Sequence, residues 1–137
     1  MPSLYYKDAQ KQGQKEFRAC TAKGLYPYLP SLDEILPAEK LNQGKPVGTV
    51  QIPMDFIVGN YSAGRTRAFA RNFMPLLEEG TEFADKWRNL CKAHLEEGIR
   101  DPAKVYEYLN RYYVAEGNKR VSVLKFFGAV TVWCLSW

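Results

Sequence analysis

The chain has 137 residues, with 19 Lys and Arg against 15 Asp and Glu and a formal net charge of +4. That length fits one domain of ordinary size and is short for two complete cores. Hydrophobic residues make up 46% and charged residues 25%, a balance that argues against wholesale disorder. No apolar stretch approaches the ~18–20 residues of a membrane-spanning helix, and no secretory signal pattern opens the chain. We therefore expect a cytoplasmic protein without a membrane partner.

Cysteine and histidine point to no particular chemistry. Cys20, Cys91 and Cys134 are far apart and form no C-x-x-C pair, so we expect neither a disulfide framework nor a zinc site. His94 is the single histidine and falls in a predicted helix, where a structural or surface role is favoured over catalysis. The sequence predicts no metal ligands of its own.

Residues 3–23 are predicted to form an amphipathic helix that ends at Gly24. An apolar stripe recurs every three to four residues, and most cations lie off it. The favoured interpretation is a solvated helix packed on the domain by its aromatic side; the alternative is a nucleic-acid-binding arm. The stripe comprises Tyr6, Ala9, Gly13, Phe17 and Cys20, and the cations are Lys7, Lys11, Lys15 and Arg18.

The polar stretch between Pro37 and Gly48 is rich in Gly, Pro, Lys and Asn, which is typical of a loop. It marks a predicted boundary between residues 1–46, an N-terminal helical extension and linker, and residues 47–137, the main domain. Residues 47–57 alternate apolar and polar side chains, which predicts a strand ending in a turn.

An arginine-rich stretch follows this strand. No acidic residue occurs between Phe56 and Leu77, whereas Arg65, Arg67 and Arg71 all do. The spacing of four predicts that Arg67 and Arg71 share one face of a helix, with Phe69 and Phe73 as a second stripe. One interpretation of these arginines is pairing with the glutamates at 78, 79 and 82.

The second half of the chain alternates clear helix and strand patterns. Thr81 is a predicted N-cap for a helix that ends at Gly98, and its apolar stripe is interpreted as core. Residues 104–109 and 112–115 predict a hairpin that turns at Asn110 and Arg111. Residues 118–128 predict a helix closed by Gly128, and residues 129–137 a final strand.

A strand running into Gly117 and a helix opening with Asn118, Lys119 and Arg120 is an arrangement suited to anions. Glycine allows close approach of the backbone, and the first N–H groups of the helix point outward with the positive end of its dipole. The alternative is a glycine hairpin exit with solvent-exposed charges.

Two segments resemble one family. Residues 112–129 are similar to the "y-x-v-x-G-x-x-R-x-x-A-x-x-x-x-G" segment of ParB N-terminal domains and sulfiredoxins, and residues 50–57 are similar to its "v-x-I-P-l-d-x-I" first strand. The resemblance implies a ParB/sulfiredoxin-like domain over about 47–132. It is an α+β fold, a small mixed sheet with flanking helices, to which this chain adds an N-terminal helical extension.

The resemblance implies roles for matching residues. Gly117, Lys119 and Arg120 match the ParB positions that handle nucleotide phosphates, and Arg65 or Arg67 lies where an arginine completes the pocket. Asn118 replaces an acidic residue in ParB domains, which disfavours direct carboxylate–metal coordination. Sulfiredoxins carry their catalytic cysteine at this position, so sulfinic-acid reduction is disfavoured as well.

The leading hypothesis is therefore a ParB-like regulatory module that binds a nucleotide or phosphate, the ligand being a nucleoside triphosphate with Mg²⁺. The alternatives are a ParB-like nuclease or NTP hydrolase and a non-specific nucleic-acid-binding domain with DNA as partner. Glu116 is the candidate catalytic group in the enzymatic alternative, although the residues do not favour it. No helix-turn-helix is expected after Gly128, so sequence-specific DNA recognition has little support.

Overall fold

The computed structural model of the chain describes residues 2–36, 48–62 and 67–136. It is a mixed α+β structure with helices flanking one sheet, which confirms the predicted fold class. The helices are α1 (Pro2–Ala22), α2 (Leu32–Ile35), α3 (Glu82–Glu96) and α4 (Asn118–Phe126). The strands are β1 (Gly48–Pro53), β2 (Ile57–Asn60), β3 (Ala103–Tyr108), β4 (Arg111–Glu116) and β5 (Thr131–Ser136), with a 3-10 turn at Met54–Phe56.

The five strands form one mixed sheet in the order β1-β5-β3-β4-β2. The pairs β1–β5 and β3–β4 are antiparallel, whereas β3–β5 and β2–β4 are parallel. Val50 faces Cys134 across the first pair, and Val105 faces Val114 across the second. This register turns the β-branched residues of the central strands to the side on which the helices pack.

The core has two parts. The first lies on the sheet, where Val105, Val114 and Cys134 pack against Phe69 and Val121. The second lies among the helices, where Tyr6 of α1 meets Trp87 of α3 at 5.4 Å between ring centroids, edge to face. The Trp87 indole Nε1 donates to Ser122 Oγ of α4 at 2.9 Å, so the buried N–H group is satisfied.

The N-terminal helix therefore packs on the domain by its aromatic side, as the favoured interpretation had it. Tyr6, Ala9, Gly13 and Cys20 are buried and Phe17 is half-buried, so the predicted stripe is the packed face. Residues 37–47 lie outside the described part of the chain, and the boundary at residue 46 stays a prediction. No helix in the described ranges is long and apolar enough to span a membrane.

Several local predictions are confirmed in detail. Thr81 caps α3, because its Oγ1 accepts from the Ala84 amide at 3.2 Å. The β3–β4 hairpin forms, although its turn lies at Leu109 and Asn110, whose φ angles of 51° and 62° are those of a tight two-residue turn. Gly128, at φ 82°, closes α4 as expected.

The prediction of a helix across Arg67 to Phe73 is wrong. Phe69 instead forms an antiparallel bridge with Pro75, and the chain turns back between them. The Ala70 amide donates to the Met74 carbonyl at 2.8 Å, and Phe73 takes the left-handed φ of 68°. Both phenylalanines are buried in this turn, so burial in the core rather than helical spacing determines the local backbone.

The strand ending in a turn that was predicted over residues 47–57 is present, and a second strand, β2, that was not predicted follows it. β1 ends at Pro53, where the Met54 amide donates to the Val130 carbonyl at 2.8 Å, and a 3-10 turn follows. The chain then crosses to the opposite edge of the sheet, and β2 pairs with β4. Because β2 has four residues and ends in the buried Asn60, its pattern is too short to be recognised from sequence.

Candidate phosphate-binding cleft

In the turn from β4 into α4, Gly117 has no side chain of its own to cover the backbone. Gly117 takes φ 103°, a left-handed conformation, and a Cβ at this position would lie 3.2 Å from the Ala103 Cβ. The Val121 amide makes the first helical bond, to the Gly117 carbonyl at 3.0 Å. The helix ladder therefore does not use the N–H groups of residues 118–120, and no acidic residue lies in this first turn.

This turn forms one wall of a cleft of about 1100 Å³. The structure brings five of the six predicted binding residues to this cleft, and the sixth, Arg65, lies outside the described residues. Arg67 reaches the cleft from the stretch before the Phe69 bridge, and α3 forms the opposite wall. The five predicted residues are Arg67, Gly117, Asn118, Lys119 and Arg120.

Three cations of the cleft contact an aromatic ring or a carbonyl. Lys119 Nζ lies 5.3 Å from the Phe83 ring centroid, and the Arg67 guanidinium lies 5.4 Å from that of Tyr28. Arg120 Nη1 donates to the Pro102 carbonyl at 3.1 Å. Aromatic rings and carbonyls orient a cation without neutralising its charge.

Asn118 connects the helix N-terminus to β2. Asn118 Nδ2 donates to Asn60 Oδ1 at 2.9 Å, and Asn60 Nδ2 donates to the Ser62 carbonyl. Because a carbonyl can only accept, the chain of bonds determines the orientation of both amides. Asn118 Oδ1 is consequently turned away from Asn60; it is buried and accepts no hydrogen bond from the described residues.

The two carboxylates of the cleft are both paired with lysines. Glu116 lies 3.5 Å from Lys104 with a side chain that is 65% exposed, and Glu82 lies 3.0 Å from Lys86. The lining also holds four cations, namely Arg67, Lys86, Lys119 and Arg120, against these two acids. Within the described ranges, no group of three His, Cys, Asp or Glu side chains is placed to hold a metal ion.

The wall that α3 supplies was not predicted. Its apolar stripe was interpreted as core, which is correct for Trp87 and Cys91. Phe83 and Leu90 are half-buried and line the cleft, together with the polar Lys86 and Asn89. Lys86 and Asn89 lie between Phe83 and Leu90 in the sequence, and this mixture of polar and apolar residues was the signal that could have identified the wall.

Neither the cysteines nor the histidine lies in the cleft lining. All three cysteines are free and buried, and burial raises the pKa of the Cys134 thiol to about 12. Burial raises the pKa of the Cys91 thiol as well. His94 stacks on Phe127 at 5.2 Å between ring centroids, which agrees with its expected structural role.

Comparison with known proteins leaves the family open. No family model and no curated protein matches the chain. Among solved structures, the crystal structure of sulfiredoxin from Arabidopsis thaliana is similar at a TM-score of 0.45 and 19% identity, over 65% of this chain and 83% of that one. The ParB/sulfiredoxin-like assignment therefore stays a prediction from the two sequence motifs.

Proposed function

We propose that this protein binds a phosphate-bearing ligand, a nucleotide, in the cleft at the N-terminus of α4, as a binding or regulatory module. One observation carries the proposal. Arg67 and the Gly117–Arg120 turn, which are far apart in sequence, line the same cleft although the arginine-rich stretch is not the predicted helix. Convergence of cations from separate segments onto a helix N-terminus is the arrangement that phosphate recognition uses.

The residues divide the cleft into two ends. The N–H groups of residues 118–120 would hold the phosphate with Lys119, Arg120 and Arg67, and Gly117 leaves the backbone accessible. The Phe83 and Leu90 wall would accommodate the base, because aromatic and aliphatic side chains favour flat apolar groups.

The protein groups present do not fit direct Mg²⁺ ligation. Asn118 stands where ParB domains carry an acid, and its amide is engaged with Asn60. Glu116 is paired with Lys104 at the edge of the cleft. The proposal therefore assigns no metal ligand to the protein, and a nucleotide would bring its own cation.

Calorimetric titration with CTP, ATP and GTP in the presence of Mg²⁺ tests the proposal. We expect heat of binding with at least one of them, and about a tenfold or greater loss of affinity in Arg67→Ala and Arg120→Ala, since a charged hydrogen bond contributes about 1.5–3 kcal/mol. Arg111→Ala is the matched control: Arg111 is exposed and lies 4.9 Å from the Phe56 ring centroid, outside the cleft.

Absence of heat with all three nucleotides, in wild type and variants alike, would refute nucleotide binding. Equal loss in Arg111→Ala would show that net charge rather than the cleft is responsible. Release of inorganic phosphate that is abolished by Glu116→Ala would favour the hydrolase alternative over a binding module.

A further inference from the structure

Helix α1 carries a second cationic surface, separate from the cleft. Its cations recur at intervals of four, four and three residues, so they form one stripe along the helix, about 16 Å long. All four side chains are exposed, and none of them lines the cleft. The stripe, which we call the α1 cationic stripe, consists of Lys7, Lys11, Lys15 and Arg18.

Cations outnumber acids four to one on the exposed side of α1. Glu16 is half-buried on the packed side, close enough to Lys125 of α4 to oppose the lowering of that lysine's pKa by burial. Asp8 is exposed on the same side of the helix as the stripe, three residues before Lys11. Among the described residues, no ion pair includes any member of the stripe.

Helix stability does not explain this pattern, because one favourable i,i+3 pair, Asp8 and Lys11, stands against two unfavourable pairs. Lys7 and Lys11, and Lys11 and Lys15, are like-charged pairs at i,i+4, which destabilise a helix by about 0.2–0.5 kcal/mol each. A solvated helix face usually alternates signs and gains from such pairs instead. A partner of opposite charge accounts for a stripe that is unfavourable in the isolated protein.

We infer that the α1 cationic stripe binds the phosphate backbone of a nucleic acid. A duplex presents about one negative charge per 1.7 Å of its axis, so a stripe about 16 Å long meets several phosphates at once. Tyr26 follows the C-terminal end of α1 and is 44% exposed, and its carbonyl accepts from Arg71 Nη1 at 3.1 Å. An aromatic ring and a further exposed cation therefore lie just beyond the C-terminal end of α1.

A membrane surface fits the stripe less well. Helices that bind lipid headgroups by a basic face insert an apolar face beside it. The apolar face of α1 is committed to the core, where Tyr6 and Ala9 are fully buried. The exposed side of α1 therefore offers a partner mainly positive charge, which suits contacts to the phosphate backbone of a nucleic acid.

Fluorescence anisotropy with a labelled DNA duplex, across about 50 to 200 mM salt, tests the inference. For wild type we expect binding whose logarithmic salt slope is about −3 or steeper. The double variant Lys11→Ala/Lys15→Ala should lose about two from the magnitude of that slope. Alanine keeps the helix, and Lys92→Ala/Arg100→Ala is the matched control with the same net charge change at exposed sites off the stripe.

Absence of duplex binding at about 50 mM salt, or an equal change of slope in the two double variants, would overturn the inference. Preference for phosphatidylserine vesicles over the duplex would overturn it in favour of a membrane. Nucleotide titration of Lys11→Ala/Lys15→Ala separates this inference from the proposed function, because the stripe lies outside the cleft and its loss should leave nucleotide affinity unchanged.

Discussion

Asn118 Nδ2 donates to Asn60 Oδ1 at 2.9 Å, across 58 residues of sequence. The bond joins the first residue of α4 to the last residue of β2, at the sheet edge beside the cleft. It explains why an asparagine rather than an acid suits the start of this helix: a carboxylate could not donate to Asn60 Oδ1. The geometry of the cleft thus depends on a pair of amides.

Asn60→Ala is expected to lower the free energy of unfolding by about 1–3 kcal/mol, because it leaves the Asn118 amide and the Ser62 carbonyl without their partner. Asn60 is 3% exposed, so water cannot readily replace it. Urea unfolding followed by circular dichroism measures the change. Asn89→Ala, at an exposed position of α3, is the control and should be within about 0.5 kcal/mol of wild type. Equal effects of the two substitutions would contradict the structural role of the pair.

Gly117→Ala is expected to destabilise the protein by about 1–3 kcal/mol, since the residue is held at φ 103° and a Cβ would press on Ala103. The substitution should also lower the affinity of any ligand that binds at the α4 N-terminus. Gly80→Ala is the matched control, because a Cβ there meets nothing within 4 Å. That variant should be neutral or stabilised by up to about 1 kcal/mol. Thermal unfolding of both variants tests this prediction. An unchanged unfolding midpoint in Gly117→Ala would refute the claim that a side chain strains the turn.

Gly13→Ala tests the docking of α1. Alanine favours a helix over glycine by about 1 kcal/mol, but a Cβ at residue 13 would clash with the Pro75 carbonyl oxygen. We expect net destabilisation of about 1–3 kcal/mol, because the helix must move away from the domain. Gln14→Ala, one residue further and exposed, should have little effect. Hydrogen exchange of the α1 amides should quicken in Gly13→Ala alone; equal protection in both variants would count against close packing.

Stability is expected to fall at alkaline pH through the buried thiol of Cys134. Burial raises its pKa from 9.0 to about 12, so the folded state holds a proton that the unfolded chain releases. This contribution to the free energy of unfolding is fully present below pH 9 and is lost as the pH rises towards 12. Cys134→Ala should have a shallower alkaline slope in urea unfolding. A residual slope is expected from Tyr6, because burial raises the pKa of its hydroxyl as well. Identical slopes in the wild type and in Cys134→Ala would exclude the thiol as the cause.

Elements whose signals are local were predictable from sequence. Thr81 is an N-cap because its hydroxyl meets an amide three residues away, and Gly117 can take a positive φ because it has no Cβ. The buried stripe of α1 follows from helical spacing, which Tyr6, Ala9 and Cys20 keep. The cationic character of the α4 N-terminus is also visible in the sequence, because the residues that create it are consecutive.

The tertiary structure alone decided which distant segments meet. Arg67 and Arg71 have helical spacing, yet the burial of Phe69 and Phe73 outweighs that local preference, because apolar burial contributes more than helix propensity. The parallel pairing of β2 with β4, and with it the Asn60–Asn118 bond, depends on contacts across the sheet that no local pattern encodes. The sequence by itself therefore determined where the charges lie along the chain, and only long-range packing decided that Arg67 and the Gly117–Arg120 turn line one cleft.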